Sequence, residues 1–416
     1  MNKYILNQVI IDQEEIFKRK EKLVEREIGK NFISSPKISV ITGVRRCGKS
    51  TLMKLLSENY ENYFYFNFED ERLLDFNHEN FNDLLELAYE LYGSKIDAFF
   101  FDEIQNVTGW EKFVRRLFSE KKKVYITGSN SKLLSSEFST SLTGRYVKTE
   151  LYPFSFKEFL KISDVELKTN LTTANRAELK KYFNEYISIG GFPEVIKSKD
   201  KNELSQLYQD VLVKDLIVRF GIRDTKSFRE LALYLLSNIS SLYSYNNLAK
   251  LLSIKSTNSV KNYIEFLEEA YLFLSVPKYE FFLKKQIVRN KKIYTIDTGI
   301  FNAVSFSFSE NRGKLLENIV LLELKRNAKD VYYFKNIKEC DFIVSKDNRL
   351  HSTIQVTEVL NKSNQDREIN GLIEAITDLK VKNGFILTYD QFDEFTIGKH
   401  KIKVLPIWYW IIFGTN

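Results

Sequence analysis

Gly43-Val44-Arg45-Arg46-Cys47-Gly48-Lys49-Ser50 has the spacing G-x4-G-K-[ST], and it stands between an apolar run, Ile38 to Thr42, and a stretch of helical character. Glycines at both ends let backbone N–H groups turn inward around a triphosphate, and the start of a helix behind them adds positive potential. Lys49 is placed to reach the outer phosphates and the Ser50 hydroxyl to ligate Mg²⁺, with Thr51 next on the helix. A second apolar run, Ala98 to Phe101, ends in Asp102-Glu103. Asp102 suits the Mg²⁺ shell and Glu103 the polarisation of an attacking water, so the adjacent carboxylates point to hydrolysis of ATP rather than its storage.

Two further residues lie near this chemistry, each with two readings. The strand expected at Lys123 to Thr127 runs into Gly128-Ser129-Asn130-Ser131, where Asn130 either helps to orient water or caps a helix. Arg145, in Leu142-Thr143-Gly144-Arg145-Tyr146, either reaches the γ-phosphate of a neighbouring subunit or forms a structural ion pair. The first of these roles requires a homo-oligomer.

The elements that must position these groups follow from hydrophobic periodicity. An opening helix is expected over 13–28, then strands at 38–42, 63–68, 98–101, 124–127 and 147–151 with helical stretches between them, which means crossover units and a parallel sheet. Around Tyr152-Pro153 the pattern turns helical and runs to Phe220, broken at Gly190-Gly191-Phe192-Pro193; a helical lid is expected there. From Ser244 the text SYNNLAKLLSIKSTNSVKNYIEFLEEAYLFLSV predicts two short helices, a turn between them and a strand, the shape of a winged helix-turn-helix. After Gly313 a mixed segment begins, with a helix at 315–326 and strands near 331–334, 340–344, 353–356 and 384–388. The fold class is therefore α/β in three modules: a P-loop domain at 1–152, a helical lid with winged helix at 153–312, and a C-terminal domain at 313–416.

Composition bounds the rest. With 416 residues, 44% hydrophobic and 14% aromatic, the chain can bury real cores, which excludes a cysteine- or metal-stapled mini-protein. Two distant cysteines and three histidines give neither a disulfide framework nor a zinc site, and fit a reducing cytoplasm. The N-terminus turns charged too early for a signal peptide, and the most apolar run, Ile407 to Phe413, is far shorter than the ~20 residues that span a bilayer. A cytoplasmic protein with no membrane partner is expected. The 62 basic residues against 55 acidic ones leave a net +7, compatible with nucleic-acid contact and with ordinary solubility alike.

The stretches GVRRCGKSTL, FFFDEIQNVTGWE, ITGSNSKLLS, SLTGRYV, LYPFSFKEFL and YISIGGFPEVI resemble those of prokaryotic AAA+-type ATPases related to origin-recognition ATPases, which carry a winged helix and a C-terminal domain similar to the PD-(D/E)xK nuclease fold. The resemblance implies a P-loop strand inside the sheet, with the Asp102 strand one removed. It makes Asn130 the polar sensor and Arg145 the arginine finger. The text departs from it at GGFPEVI, which lacks the lid arginine found in many such proteins.

Two outputs stay open. Lys255, Asn258, Lys261 and Asn262 on the second helix of the helix-turn-helix, and Lys284, Lys285, Arg289, Lys291 and Lys292 on an expected basic hairpin, suit DNA; winged helices also serve as protein-binding modules. In the C-terminal segment, the resemblance makes Glu317, Asp341 and Gln355 the remnants of a nuclease site whose lysine position is occupied by Thr357, unless Lys335 or Lys362 substitutes. A domain without robust cleavage is expected. Alternatively Asp341 and Gln355 cap a β-hairpin or bind each other, and Arg367-Glu368 is then surface charge; VLPIWYWIIF reads as a core strand or helix.

Overall fold

Strands covered on both faces read as unbroken apolar text, and this determines how the first half of the chain folds. Ile38–Gly43 (β1) and Ala98–Asp102 (β3) are buried at every position. With Tyr63–Asn67 (β2), Lys123–Gly128 (β4) and Tyr146–Leu151 (β5) they form an all-parallel sheet of order β2-β3-β4-β1-β5. β1 thus lies inside the sheet, with β4 between it and β3. The computed structural model describes residues 1–128, 142–305, 311–327, 330–347 and 349–415. They divide into two compact units, Met1–Leu151 and Tyr152–Asn416.

Among the described residues of the first unit the α-helices are Lys3–Lys18 (α1), Lys30–Ser34 (α2), Lys49–Ser57 (α3), Phe81–Tyr92 (α4) and Trp110–Ser119 (α5). Phe99 and Phe101 of β3 join Phe64, Phe66, Phe81 and Phe113 in the main core, where the Phe81 and Phe113 rings stack at 4.2 Å. Phe100, pointing the other way, stacks on Tyr125 at 4.7 Å. Each such ring contributes about 1.5–3 kcal/mol by leaving water, so β3 is fixed from both sides and its terminal acid with it. The opening helix differs from the one expected at 13–28. It starts at Lys3, where Asn2 accepts from the Tyr4 N–H, and buries Leu6, Val9, Ile10, Gln13 and Phe17 at helical spacing. The charged run after Lys18 offers no such stripe, and residues 19–29 are irregular.

The described residues of the second unit form two sheets. A three-stranded antiparallel sheet of order β6-β8-β7 is built from Ser241–Tyr243 (β6), Phe273–Pro277 (β7) and Lys291–Thr295 (β8), with helices Tyr245–Leu251 and Thr257–Glu269 between β6 and β7. The expected hairpin at 284–292 is instead a short helix, Leu283–Val288, followed by β8. A mixed six-stranded sheet of order β13-β14-β12-β11-β10-β9 comprises Asp330–Lys335 (β9), Glu339–Lys346 (β10), Arg349–Val356 (β11), Asn383–Thr388 (β12), Asp393–Ile397 (β13) and His400–Pro406 (β14). Helix Arg312–Arg326 precedes β9, and helix Gln365–Leu379 packs on β10, β11 and β12. The β13–β14 hairpin was not legible in DEFTIGKHKIK, whose strands are mostly polar. The apolar end of the chain is both things expected of it, strand β14 and then helix Ile407–Phe413.

The break at Gly190-Gly191 has a specific cause. Gly190 has φ +77°, and a Cβ there would lie 1.9 Å from Asp297 Oδ1. Asp297 accepts from the Gly191 N–H at 2.7 Å and from Gly299 at 2.8 Å, so a side chain at Gly190 would displace the carboxylate that ties two helix ends together. Burial pushes the Asp297 carboxyl up to about 6, against the pull of those N–H donors.

Candidate functional site

The glycine loop emerges from β1 and closes on α3. Gly43 has φ +152° and would place a Cβ 2.2 Å from the Leu151 carbonyl oxygen, while Gly48 precedes the helix at φ +95°. No side chain caps the first turn of α3, so its N–H groups face the loop. Lys49 is buried, with Nζ 3.4 Å from the carbonyl oxygens of Gly43 and Val44. Ser50 and Thr51 follow on the first turn. Arg45 pairs with Glu69 at 3.0 Å, and Arg46, at φ +63°, lies exposed. Cys47 is fully buried, and burial raises its thiol pKa; it fills the loop rather than offering a reactive thiolate.

Asp102 closes β3 and receives three hydroxyls. Tyr65 donates to Oδ2 at 3.0 Å, Thr127 donates to Oδ1, and Ser50 hydrogen-bonds the same carboxylate. Burial, then the neighbouring Glu103, pushes the Asp102 pKa up against these hydroxyls and the Lys49 charge. Glu103 has φ +51°, a left-handed conformation that costs a non-glycine residue about 1–3 kcal/mol. Its N–H donates to Thr127 Oγ1 at 2.9 Å, and its carboxylate lies 3.4 Å from Lys49 Nζ. The strained turn thus directs the second carboxylate back to the loop lysine. Burial works against the Lys49 ammonium, but Glu103 and Asp102 outweigh it and the Lys49 pKa is raised.

Lys49, Ser50, Asp102 and Glu103 are therefore brought together. Asn130 lies outside the described residues. Thr127 is the polar residue at the end of β4, and it bridges Asp102 and Glu103; a threonine closing the apolar run VYIT was the signal for it. Arg26 donates to the Cys47 carbonyl at 2.9 Å from an irregular segment, a contact with no sequence signal. Arg145 sits elsewhere. It precedes β5, whose first residue pairs with Ile38, so it stands at the end of the sheet opposite the loop, about 20 Å away along a six-residue strand.

The second unit holds another polar cluster. Glu317, Asp341 and Gln355 do converge: the Asp341 N–H donates to Gln355 Oε1 at 3.2 Å, and Asp341 Oδ2 accepts from the Val356 N–H at 2.9 Å. The lysine among them is neither Lys335 nor Lys362 but Lys292. Its buried Nζ lies 2.8 Å from Glu339, 2.9 Å from Asp341 and 3.2 Å from Glu317. The expectation that Lys292 belongs to a basic, phosphate-facing hairpin is thereby corrected, because β8 turns it inward. Glu368 is corrected too: it is buried and accepts from Gln355 Nε2 at 2.7 Å. Burial, then the Asp341 charge, pushes the Glu317 carboxyl up to about 7 despite Lys292 and the Tyr294 hydroxyl. The lysines considered for nucleic acid are spread over several elements. Lys255 and Lys261 are exposed, Lys261 beside Glu265 at 3.6 Å. Lys284 and Lys285 lie on helix Leu283–Val288, and Arg289 pairs with Glu280 at 3.3 Å.

A parallel sheet with the glycine loop on an inner strand and a buried acid at the tip of the strand beyond its neighbour is the arrangement of an AAA-type P-loop ATPase. A family model described as an AAA domain matches residues 35–160, and one described as a domain of unknown function matches 180–311. An uncharacterized protein of Methanocaldococcus jannaschii is 39% identical over 98% of this chain and 95% of its own length. An uncharacterized protein of Haemophilus influenzae is 33% identical over 74% of this chain and 80% of that protein. The chain belongs to the family of these two proteins. Among solved structures it is similar to the Aeropyrum pernix ORC1 protein in complex with DNA, at 12% identity and a TM-score of 0.28 over 73% of this chain and 90% of that one.

Proposed function

We propose that the first unit binds and hydrolyses Mg-ATP. The observation that carries this is the meeting of Lys49, Ser50, Asp102 and Glu103 at the uncapped start of α3. The loop N–H groups and Lys49 hold the phosphates, and Glu103 accepts the proton of the attacking water. The residues fit Mg²⁺, since Ser50 and Asp102 present a hydroxyl and a buried carboxylate already in contact; the ion would neutralise phosphate charge there. Thr127 holds the Asp102 carboxylate and the Glu103 backbone N–H, and Asn130 and Arg145 remain candidates, the arginine acting on a second copy. ATP turnover by the full chain is expected with Mg²⁺ and is expected to stop on chelation, read as phosphate release. Equal turnover in the presence of a chelator would refute the metal assignment.

For the output we propose DNA contact through a winged-helix module at β6–β8. The supporting observation is that helix Thr257–Glu269 buries Val260, Ile264 and Leu267 and leaves Asn258, Lys261 and Asn262 exposed on its other side, residue types that pair with base edges and phosphates. DNA affinity is expected to fall steeply with salt, with a shallower slope in Lys261→Glu; no binding at low salt sinks the reading. The C-terminal cluster we read as an altered nuclease site without robust cleavage, because Thr357 stands at the expected lysine position and the lysine that does enter the cluster, Lys292, comes from another strand and is tied to three carboxylates.

A further inference from the structure

Residues 279–289, YEFFLKKQIVR, join β7 to β8 and leave Phe281, Phe282, Leu283, Ile287 and Val288 between 64% and 76% exposed. Helix Leu283–Val288 buries none of its residues. Five large apolar side chains within eight positions is a patch rather than the scatter of single exposed residues that any surface carries. It is also basic. Lys284 and Lys285 share the helix, Lys285 lying over the Phe282 ring at 5.6 Å, and the one acid of the segment, Glu280, is held by Lys278 at 3.1 Å and by Arg289.

The partner must therefore supply both hydrocarbon and negative charge. Two copies meeting tip to tip would set Lys284 and Lys285 against their own kind. A nucleic acid would take Phe281 or Phe282 as a stacking or wedging ring, but a base step admits one or two side chains, which leaves Leu283, Ile287 and Val288 in water. A bilayer of anionic lipid accepts all five among its acyl chains and places the two lysines at the headgroups, without a partner surface of matching shape.

We propose that residues 279–289 form a peripheral membrane-contact tip for anionic lipid surfaces. This goes beyond the ATPase reading and does not depend on it. It also departs from the expectation of no membrane partner, which rested on the absence of a spanning segment; no described helix is long and apolar enough to cross a membrane, and a peripheral contact needs none.

The test is co-sedimentation of the full chain with vesicles of phosphatidylcholine alone and of phosphatidylcholine mixed with phosphatidylglycerol. Binding about tenfold tighter to the anionic vesicles is expected, weakening with salt. Phe281→Ser with Phe282→Ser should weaken it by about tenfold or more, and Lys284→Glu with Lys285→Glu should erase the anionic preference. Because these side chains are exposed, the variants should fold normally, and Phe282→Trp should show blue-shifted emission on the anionic vesicles. No binding to anionic vesicles, or binding that the phenylalanine variants leave intact, overturns the proposal. Duplex DNA binding that those variants abolish, with vesicles ignored, overturns it as well and assigns the tip to nucleic acid.

Discussion

Glu103→Gln is expected to bind ATP with an affinity within a few-fold of the parent while turnover falls by about 10²–10⁴-fold, the contribution of a positioned general base. Glutamine keeps the length and shape of the side chain and loses the capacity to accept a proton. The positive φ at residue 103 and its N–H bond to Thr127 involve the backbone, so the turn should survive the change. Removing the negative charge also relieves Asp102, whose pKa Glu103 helps to raise, so that Asp102 becomes a more reliable anion for the metal. Lys49 loses its carboxylate partner at 3.4 Å and keeps its contacts with the Gly43 and Val44 carbonyls, so it still lies at the loop to meet phosphate. Nucleotide titration and steady-state phosphate release on the same preparation separate binding from chemistry; unchanged turnover would show that the proton goes elsewhere.

Lys292→Met is expected to destabilise the second unit by about 3–5 kcal/mol near pH 8, since breaking a buried charge cluster by removing one partner leaves the others uncompensated. Glu317 and Asp341 rely on this ammonium, while Glu339 keeps a second partner in Lys335 at 3.0 Å. The deficit should be pH-dependent. The Glu317 pKa is raised from 4.5 to about 7 in the folded chain, so its contribution favours folding at low pH and is lost as pH rises through 7. Without Lys292 the same carboxyl moves higher still, so a proton on Glu317 offsets part of the missing charge below about pH 6. Urea unfolding followed by tryptophan emission, which Trp408 and Trp410 contribute from this unit, should show a large loss of midpoint at pH 8 and a smaller one at pH 5.5. An equal loss at both values would mean that the methionine disturbs packing rather than charge.

The two clusters differ in how they reach the page. Lys49, Ser50, Asp102 and Glu103 are legible because each sits at the end of a buried strand or the start of the helix that follows, where local sequence dictates both element and position; Arg26 and Tyr65 are not. Thr127 follows the same rule. Lys292 does not. Its neighbours in sequence are Lys291, Arg289, Lys285 and Lys284, and nothing local separates the one lysine that turns inward from those that stay in water. Which side of β8 faces the acids is decided by the pairing of β8 with β6 and β7 and by the packing of Glu317 and Asp341 from elements far along the chain. The exposed segment is a similar case, because its lysines read as a basic hairpin and nothing local says that Phe281, Phe282, Leu283, Ile287 and Val288 stay uncovered.

The sequence by itself thus determined the α/β class, the glycine loop, the order in which the strands and their acids arrive, and the residues that would meet a triphosphate, since these follow from periodicity and from conformations that glycine permits. Only the tertiary structure decided that Glu103 bends back to Lys49, that Arg145 stands at the far end of the sheet, that a lysine fills the second carboxylate cluster, and that five apolar side chains remain in solvent. Those outcomes depend on strand register and long-range burial, which the local text does not encode.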